Sequence, residues 1–391
     1  MTMPRGGVPT PLRKFRRFVA MYGFERTLIK SIGRMRRLAP LGRFVQQIRF
    51  WKRGVPKDVA MIGCGQFAFS TCAYFLTRAR GPCIKYALDP DAERARSLAY
   101  LFGAEVCLDY QAILDDPEIK YVWIVSNHAS HTDYSVKALA AGKIVHVEKP
   151  VSVTHEQFAE LSEAVGRSGA DRIFCGYNRP HSAAIREIRQ QIVDGGFTGG
   201  LTLACVVCGH VLDDDHWYRD PREGTRICGN MGHWLDLAVH LLFARDGHGP
   251  AAVDVTVAYA DPSQCDEHVS IAIATERGDL ISITFTARAE PFEGISESIV
   301  VQCGTLSARI DDFRSMTLHD GPDVSRRTYR PKDVGHRRAV LQPFDAARRN
   351  WEEVACSTRL MLAIADMVRE RVRFARVTLD EAMAGAPLPD R

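Results

Sequence analysis

No apolar run in this 391-residue chain approaches the ~18 residues that a membrane-spanning helix needs. No uninterrupted apolar core followed by a cleavage site stands near the start, so a secretory signal is not expected. Internal repeats and low-complexity tracts are missing as well, which excludes solenoids and disordered linkers. Paired cysteines are also lacking: the 11 cysteines are scattered through apolar segments, an odd number with no disulfide spacing. That pattern reads as reduced thiols in a cytoplasmic protein. Cys205 and Cys208 form a C-x-x-C, but inside the strand-like run "LTLACVVCGH". Residues three apart on a strand face opposite sides, and no second pair follows to complete a zinc site. Both are expected in the core.

Acidic residues are nearly absent from one region. Residues 1–53 hold 14 Lys/Arg and one acid, Glu25, a net +13 that leaves −9 for the rest. The basic balance belongs to an arm, residues 1–55, and not to a nucleic-acid-binding body. Leu12, Phe15, Phe18, Val19 and Tyr22 recur at helical spacing; Leu28, Ile29, Ile32 and Met35 make a second stripe, and Pro40 is the expected break. Two fates are open to such a stripe. It lies on an anionic membrane surface at the inner face of the membrane, or it packs on the body or on a neighbouring subunit; the second is favoured.

From Lys57 the grammar becomes strand, glycine turn, helix, strand. "KDVAMIG", "CIKYALD", "AEVC", "KYVWIVS", "KIVHVE" and "RIFCGY" are strands with helical patterns between them. The alternation predicts a Rossmann-type, doubly wound parallel sheet over 56–176. Over 177–391 long strand-like runs succeed one another, interrupted by the helix "GHWLDLAVHLLFA". That succession predicts an α+β domain on a mostly antiparallel open sheet. The charged helical segment from "PFDAARRNWEEV" onward is expected to pack back on the first domain.

"IGCGQFA" sets Gly63, Gly65 and Ala68 as G-x-G-x-x-A, with Gln66 and Phe67 between them, directly after a strand and opening a helix. The first glycine permits the turn and the second admits a pyrophosphate. The third, small residue lets helix and strand close up, with phosphate at the helix N-terminus. The second strand ends in Asp89, whose carboxylate suits two ribose hydroxyls and repels a 2′-phosphate. NAD is therefore favoured, with NADP left open by any nearby basic residue. The bland role for Asp89 is to cap the helix at "PDAERA". After the fourth strand, "SNHASH" brings Ser126, Asn127, His128 and His131 to the cofactor side by topology. In "HVEKP", Glu148 and Lys149 stand where a strand ends, with Pro150 restricting the backbone of Lys149.

A nucleotide turn, "SNHASH", "EKP" and a following antiparallel domain resemble the glucose–fructose oxidoreductase / inositol dehydrogenase (Gfo/Idh/MocA) family over roughly residues 57–385. The resemblance implies an NAD(P)-dependent oxidoreductase acting on a secondary alcohol of a sugar or nucleotide sugar. It also implies a homo-oligomer paired through the second-domain sheet. Its lysine reaches the reacting carbinol, which here makes Lys149 the group that handles the hydroxyl proton. Its second signature is an Asp four residues before a catalytic His and another Asp three after. "GNMGHWLDLAVH" supplies His233 and Asp236, but Gly229 stands where the first Asp is expected. Asn230 is then left to orient the ring without the electrostatic part. A second register pairs Asp236 with His240, one turn on; His240 is expected in the helix interior, so His233 is the acid/base candidate.

Two polar runs are the expected substrate cleft. "GYNRP" offers Tyr177, Asn178 and Arg179; "GHVLDDDHWYRDPREGTR" offers His210, His216, Trp217, Tyr218, Arg219 and Arg226. Aromatic faces stack on sugar C–H surfaces while charged groups take hydroxyls or phosphates. Asn230 and Asp236 complete that set. His210, Asp213 and His216 invite a metal, but hydride chemistry has its electrophile in the nicotinamide, and none is expected. Two other functions stay open: transient NAD-dependent oxidation serving glycoside cleavage or elimination, and a non-catalytic NAD-binding sensor or assembly protein.

Overall fold

The computed structural model describes residues 11–35, 55–289, 294–345 and 348–379. Its first sheet is parallel and six-stranded: β1 (Val59–Ile62), β2 (Ile84–Leu88), β3 (Glu105–Val106), β4 (Tyr121–Ile124), β5 (Ile144–Val147) and β6 (Ile173–Cys175). The order is β3-β2-β1-β4-β5-β6, so the direction of winding reverses between β1 and β4, where α/β sheets bind ligands. Helices cover both faces, which is why β1 is apolar and buried throughout instead of alternating. A helix starts at Gln66 directly after the glycine turn and runs, with a π-turn at Ala68–Cys72, to Arg80. Phe69, Cys72, Ala73 and Leu76 are its buried face. The cap of the next helix, Ala92–Phe102, is Asp91, whose side chain accepts from Glu93 N and Arg94 N. Capping therefore falls to Asp91 and not to Asp89.

The second sheet has nine strands: β7 (Thr202–Cys208), β8 (Ala252–Tyr259), β9 (His268–Thr275), β10 (Leu280–Thr286), β11 (Ser296–Cys303), β12 (Leu306–Asp311), β13 (Ser315–Asp320), β14 (Asp323–Thr328) and β15 (Phe374–Thr378). Their order is β14-β13-β12-β11-β7-β10-β9-β8-β15, antiparallel except between β7 and β10. The last strands, β13, β14 and β15, are short, and nearly every residue of β14 is exposed, so no apolar alternation announces β14. One face is packed by the helices Ala183–Gly195, Gly232–Asp246 and Trp351–Glu370. Trp234, Leu235, Leu237 and Leu241 are fully buried there, each contributing about 2 kcal/mol of apolar burial. Among the described residues no helix covers the other face, which shows Val206, Leu280 and Phe374. Cys205 is in the core, but Cys208 lies on that opposite face, half-buried, its thiol donating to Ala289 O at 3.0 Å. The expectation of two core thiols holds for one of them.

The C-terminal helix begins at Trp351, capped by Asn350, later than its charged approach suggests. Val354 enters the core beside β5 and β6, while Leu360, Met361 and Ile364 join the core of the second sheet. Just before it, Gln342 Nε2 donates to Cys175 O at 2.8 Å. This segment contributes side chains to the cores at both sheets.

Two helices of the arm fall within the described residues, Pro11–Tyr22 and Phe24–Arg34, separated by Gly23 at φ 80°. The expected break at Pro40 lies outside the described residues. Met21, Thr27, Ile29 and Ile32 are buried, and Ile29 and Ile32 belong to one apolar cluster with Phe69, Phe75 and Phe102. Gln66 Nε2 donates to Lys30 O at 3.1 Å, and Lys332 N to Met21 O at 2.9 Å. The second stripe therefore packs on the body through Ile29 and Ile32, with Met35 left 52% exposed; of the first stripe, Phe15, Phe18, Val19 and Tyr22 are only half-buried. Burial, with Arg26 and Arg34 adding, pushes Lys30 down to about 7. Among the described residues no helix is long and apolar enough to cross a membrane.

Candidate active site

Beyond the carboxyl ends of β1, β2, β4 and β5 lies a cavity of about 1120 Å³. The glycine turn forms its floor. Gly63 N donates to Leu88 O at 2.8 Å and its φ is +85°; a Cβ there would stand 2.5 Å from Val125 O, so only glycine fits. At Gly65 the reverse holds: a Cβ would meet nothing within 4 Å, so the space over the turn is open. The N-terminus of the helix at Gln66 and Phe67 borders that space, a cradle of the kind phosphate occupies. Asp89 Oδ2 accepts from Cys64 N at 2.6 Å and Oδ1 from Asp91 N at 2.8 Å. Each oxygen keeps a further lone pair toward the cavity that Asp89 lines. Open cradle and fixed carboxylate together fit a dinucleotide. Gly65→Val should fold with unchanged Tm, since nothing resists the new side chain, yet weaken NAD binding about 100-fold (roughly 3 kcal/mol). An unaltered NAD titration would count against the assigned turn.

The loop after β4 is held from the other domain. Glu223 accepts from Asn127 Nδ2 at 2.7 Å and from Ala129 N at 3.1 Å, while His128 Nδ1 meets Glu223 O at 2.9 Å. Ser126 and Ser130 share a hydroxyl contact of 2.7 Å. His131 places Nδ1 2.7 Å from Pro150 O and Nε2 3.2 Å from Ser126 O. Burial pushes both histidines down; a neutral His131 has a single N–H, so it donates to Pro150 O or to Ser126 O but not to both. Ser126, Asn127, His128, His131, Glu148 and Lys149 all line the cavity, as do Gln66, Phe67 and Ala68.

Lys149 Nζ donates to Gly229 O at 2.7 Å and to Tyr218 OH at 3.3 Å. His233 lines the same cavity. Burial first, then the charges of Arg179 and Lys149, hold it well below the ordinary histidine range. It is therefore neutral, and its Nδ1 has no partner among the described residues. Asn230 does not orient it: its Oδ1 accepts from Arg226 Nε at 3.3 Å.

The expected substrate set divides. Asn178, Trp217 and Tyr218 line the cavity; the side chain of His210 is exposed and borders it nowhere, and the others are drawn into the scaffold. Asp236, fully buried, accepts from Arg349 Nη1 at 2.9 Å on both oxygens and from Ser357 at 3.0 Å. Tyr177 is buried, its hydroxyl 3.7 Å from Met361 Sδ. Arg179 donates to both oxygens of Glu297 at 2.7 and 2.9 Å and stacks 4.2 Å over Trp234. Arg226, 1% exposed, donates to Glu267 Oε1 and His210 O, each at 2.6 Å. Arg219 donates to Asp213 O and Leu212 O, each at 3.0 Å. His216 Nδ1 accepts from Tyr218 N at 3.2 Å. A long loop needs internal acceptors and donors to hold a shape, and its basic residues supply them while two aromatic rings face the ligand space. His240 pairs with Glu353 at 2.8 Å inside the helix packing, as expected.

Gly33, Arg34, Arg94, Glu223 and His336 also border the cavity. Glu223 sits in "DPREGT", which looks like a solvated turn, and Gly33 and Arg34 belong to the arm; no local pattern marks them. Among the described residues no cluster of three or more His, Cys, Asp or Glu side chains is able to hold a metal ion.

Residues 57–176 match the family model described as "Oxidoreductase family, NAD-binding Rossmann fold". The chain is 34% identical over 140 residues to an inositol 2-dehydrogenase of Pseudomonas savastanoi pv. phaseolicola, covering 36% of this chain and 38% of that protein. It is 24% identical over 252 residues to inositol 2-dehydrogenase 2 of Saccharopolyspora erythraea, covering 64% of this chain and 72% of that one. The matches to three Pseudomonas and Ralstonia relatives span only 38% to 52% of those proteins. In three dimensions it resembles a levoglucosan dehydrogenase solved with NADH and levoglucosan. That likeness has a TM-score of 0.67 at 17% identity and covers 83% of this chain and 99% of that one, a likeness of fold.

Proposed function

Residues 57–176 belong to the Gfo/Idh/MocA oxidoreductase family as its NAD-binding Rossmann domain, and from that premise we propose that this protein is an NAD-dependent dehydrogenase of a secondary alcohol on a sugar or cyclitol. The observation that carries the reading is Lys149. Its amine stands in the wall of the cavity that the glycine turn and Asp89 open, held from two sides.

The turn at Gly63–Gly65 and the helix start at Gln66 hold the phosphates of the dinucleotide, and Asp89 holds a ribose. Asp89 disfavours a 2′-phosphate, and on that ground NAD is preferred over NADP, although Arg34 and Arg94 border the same cavity. When bound, the nicotinamide supplies the hydride acceptor. Lys149 Nζ hydrogen-bonds the substrate hydroxyl oxygen and handles its proton. Neutral His233, which lines the same cavity, is the second group assigned to the hydroxyl, as a hydrogen-bond partner and not as the resting place of its proton, since burial disfavours its charged form. Trp217, 44% exposed, offers a flat face to the C–H side of a sugar or nucleotide-sugar ring. The bare face of the second sheet, with Val206, Leu280 and Phe374, is the surface assigned to pairing of two copies.

The test is absorbance at 340 nm with NAD or NADP and a panel of cyclitols, sugars and nucleotide sugars. Expected is NADH accumulation with at least one polyol and a preference of tenfold or more over NADP. Substrate conversion seen by mass spectrometry without NADH would mean transient oxidation instead. No conversion of any kind would leave a dinucleotide-binding protein.

A further inference from the structure

We propose that Tyr218 is a positioning residue for Lys149, and that residue 229 is glycine because the Tyr218 ring occupies the space a side chain there would need. The inference rests on the reading of Lys149 as the proton-handling group.

An ammonium has three N–H donors in a rigid tripod. On Lys149 one goes to Gly229 O at 2.7 Å and one to Tyr218 OH at 3.3 Å. The third position is left for a ligand in the cavity that Lys149 and Tyr218 both line. Fixing two of three directions fixes the last, which is how a flexible four-carbon stem comes to hold one geometry. The anchors are themselves fixed. Tyr218 packs edge-on to Trp217 with centroids 4.4 Å apart, and against His128 at 4.9 Å and His216 at 5.1 Å. The Gly229 carbonyl belongs to a π-turn, Ile227–Met231, at the start of the helix that carries His233.

Position 229 and position 218 then compete for one volume. A Cβ on residue 229 would lie 2.6 Å from Cε2 of Tyr218 and 3.0 Å from Cδ2 and Cζ. The contact is with a ring wedged on three sides, not with the loose end of a flexible chain, so it cannot be relieved cheaply. The absence of a side chain at 229 leaves that volume to the Tyr218 ring, and a phenol hydroxyl, delivered from a loop 69 residues after Lys149, reaches the amine.

Tyr218→Phe keeps the ring and removes the hydroxyl. Expected are a kcat about tenfold lower with KM within twofold, a displaced pH profile of kcat/KM, and faster acetylation of Lys149, threefold or more by peptide mass spectrometry, in the ligand-free protein. Gly229→Asp is expected to lose at least 100-fold in kcat/KM. Combining it with Tyr218→Ala, which vacates the volume, should regain at least tenfold over Gly229→Asp alone. Independent, multiplicative losses together with an unchanged Lys149 labelling rate would overturn the proposal. If wild-type protein reduces NAD with no polyol, the dehydrogenase reading falls, and the labelling rate alone decides whether Tyr218 positions Lys149. Should Gly229→Asp fail to fold, the Tyr218→Phe measurements decide in the same way.

Discussion

Lys149→Ala is expected to lower kcat by about 10²–10⁴, the usual worth of a positioned proton-handling group, while NAD affinity changes less than threefold. The two outcomes separate because the proposed function assigns the dinucleotide to other groups: the turn at Gly63–Gly65, Asp89, and the loop that Glu223 clamps. Removing the amine leaves those contacts untouched. Lys149→Arg is expected to be nearly as poor. A planar guanidinium does not give up its proton in this pH range, and its fork does not match a site built from one carbonyl at 2.7 Å and one hydroxyl at 3.3 Å. Steady-state kinetics with fluorescence titration of NAD checks both variants; turnover within twofold of wild type would remove Lys149 from the reaction.

The second large effect is on stability in mild acid. His128, His131, His181, His233, His240 and His336 are all pushed down, in each case by burial first. Unfolded, each titrates near its ordinary value of about 6.5. Below that pH the unfolded chain binds protons that the folded one refuses, so stability falls as pH falls. Each such group costs up to about 1.4 kcal/mol per pH unit until its folded value is reached. Three acting together over one unit amount to about 4 kcal/mol, a large share of the ~5–15 kcal/mol that holds a domain. The window is clean: Glu353, lowered to about 2 beside His240 and Arg349, loses its contribution only at more acid pH. Thermal melts from pH 8 to 5 should show a shallow decline down to about 7, where only the depressed Lys30 refuses its proton, and a steep decline below 6.5. A Tm unchanged between pH 7.5 and 5.5 would mean these rings are already charged in the folded protein.

How far the sequence reached depends on how local each signal is. Gly63, Gly65, Asp89 and Lys149 announce themselves because the chemistry they serve fixes a strand end or a turn a few residues long. Arg179, Arg226 and Asp236 mislead for the opposite reason. They are polar residues in or beside the right segments, but their partners Glu297, Glu267 and Arg349 lie 118, 41 and 113 residues away. A buried ion pair and a ligand-facing charge have the same composition; only the distant partner tells them apart. Glu223 was invisible likewise, since its work is to grip a loop 96 residues earlier. The periodicity of the arm predicts its helices, but one stripe fits lipid, body or neighbour equally well. What decides is the complementary apolar patch at Phe69 and Phe75, which belongs to another element.

The arm also bears on where this molecule begins as a folding unit. The family match starts at residue 57, and a gene trimmed to that point would look complete by comparison. It would instead strip Ile29 and Ile32 from Phe69 and Phe75 and take away the carbonyl that holds Gln66 beside the glycine turn. Homology draws one border and packing draws another, and the earlier of the two is the one an expression plasmid has to respect.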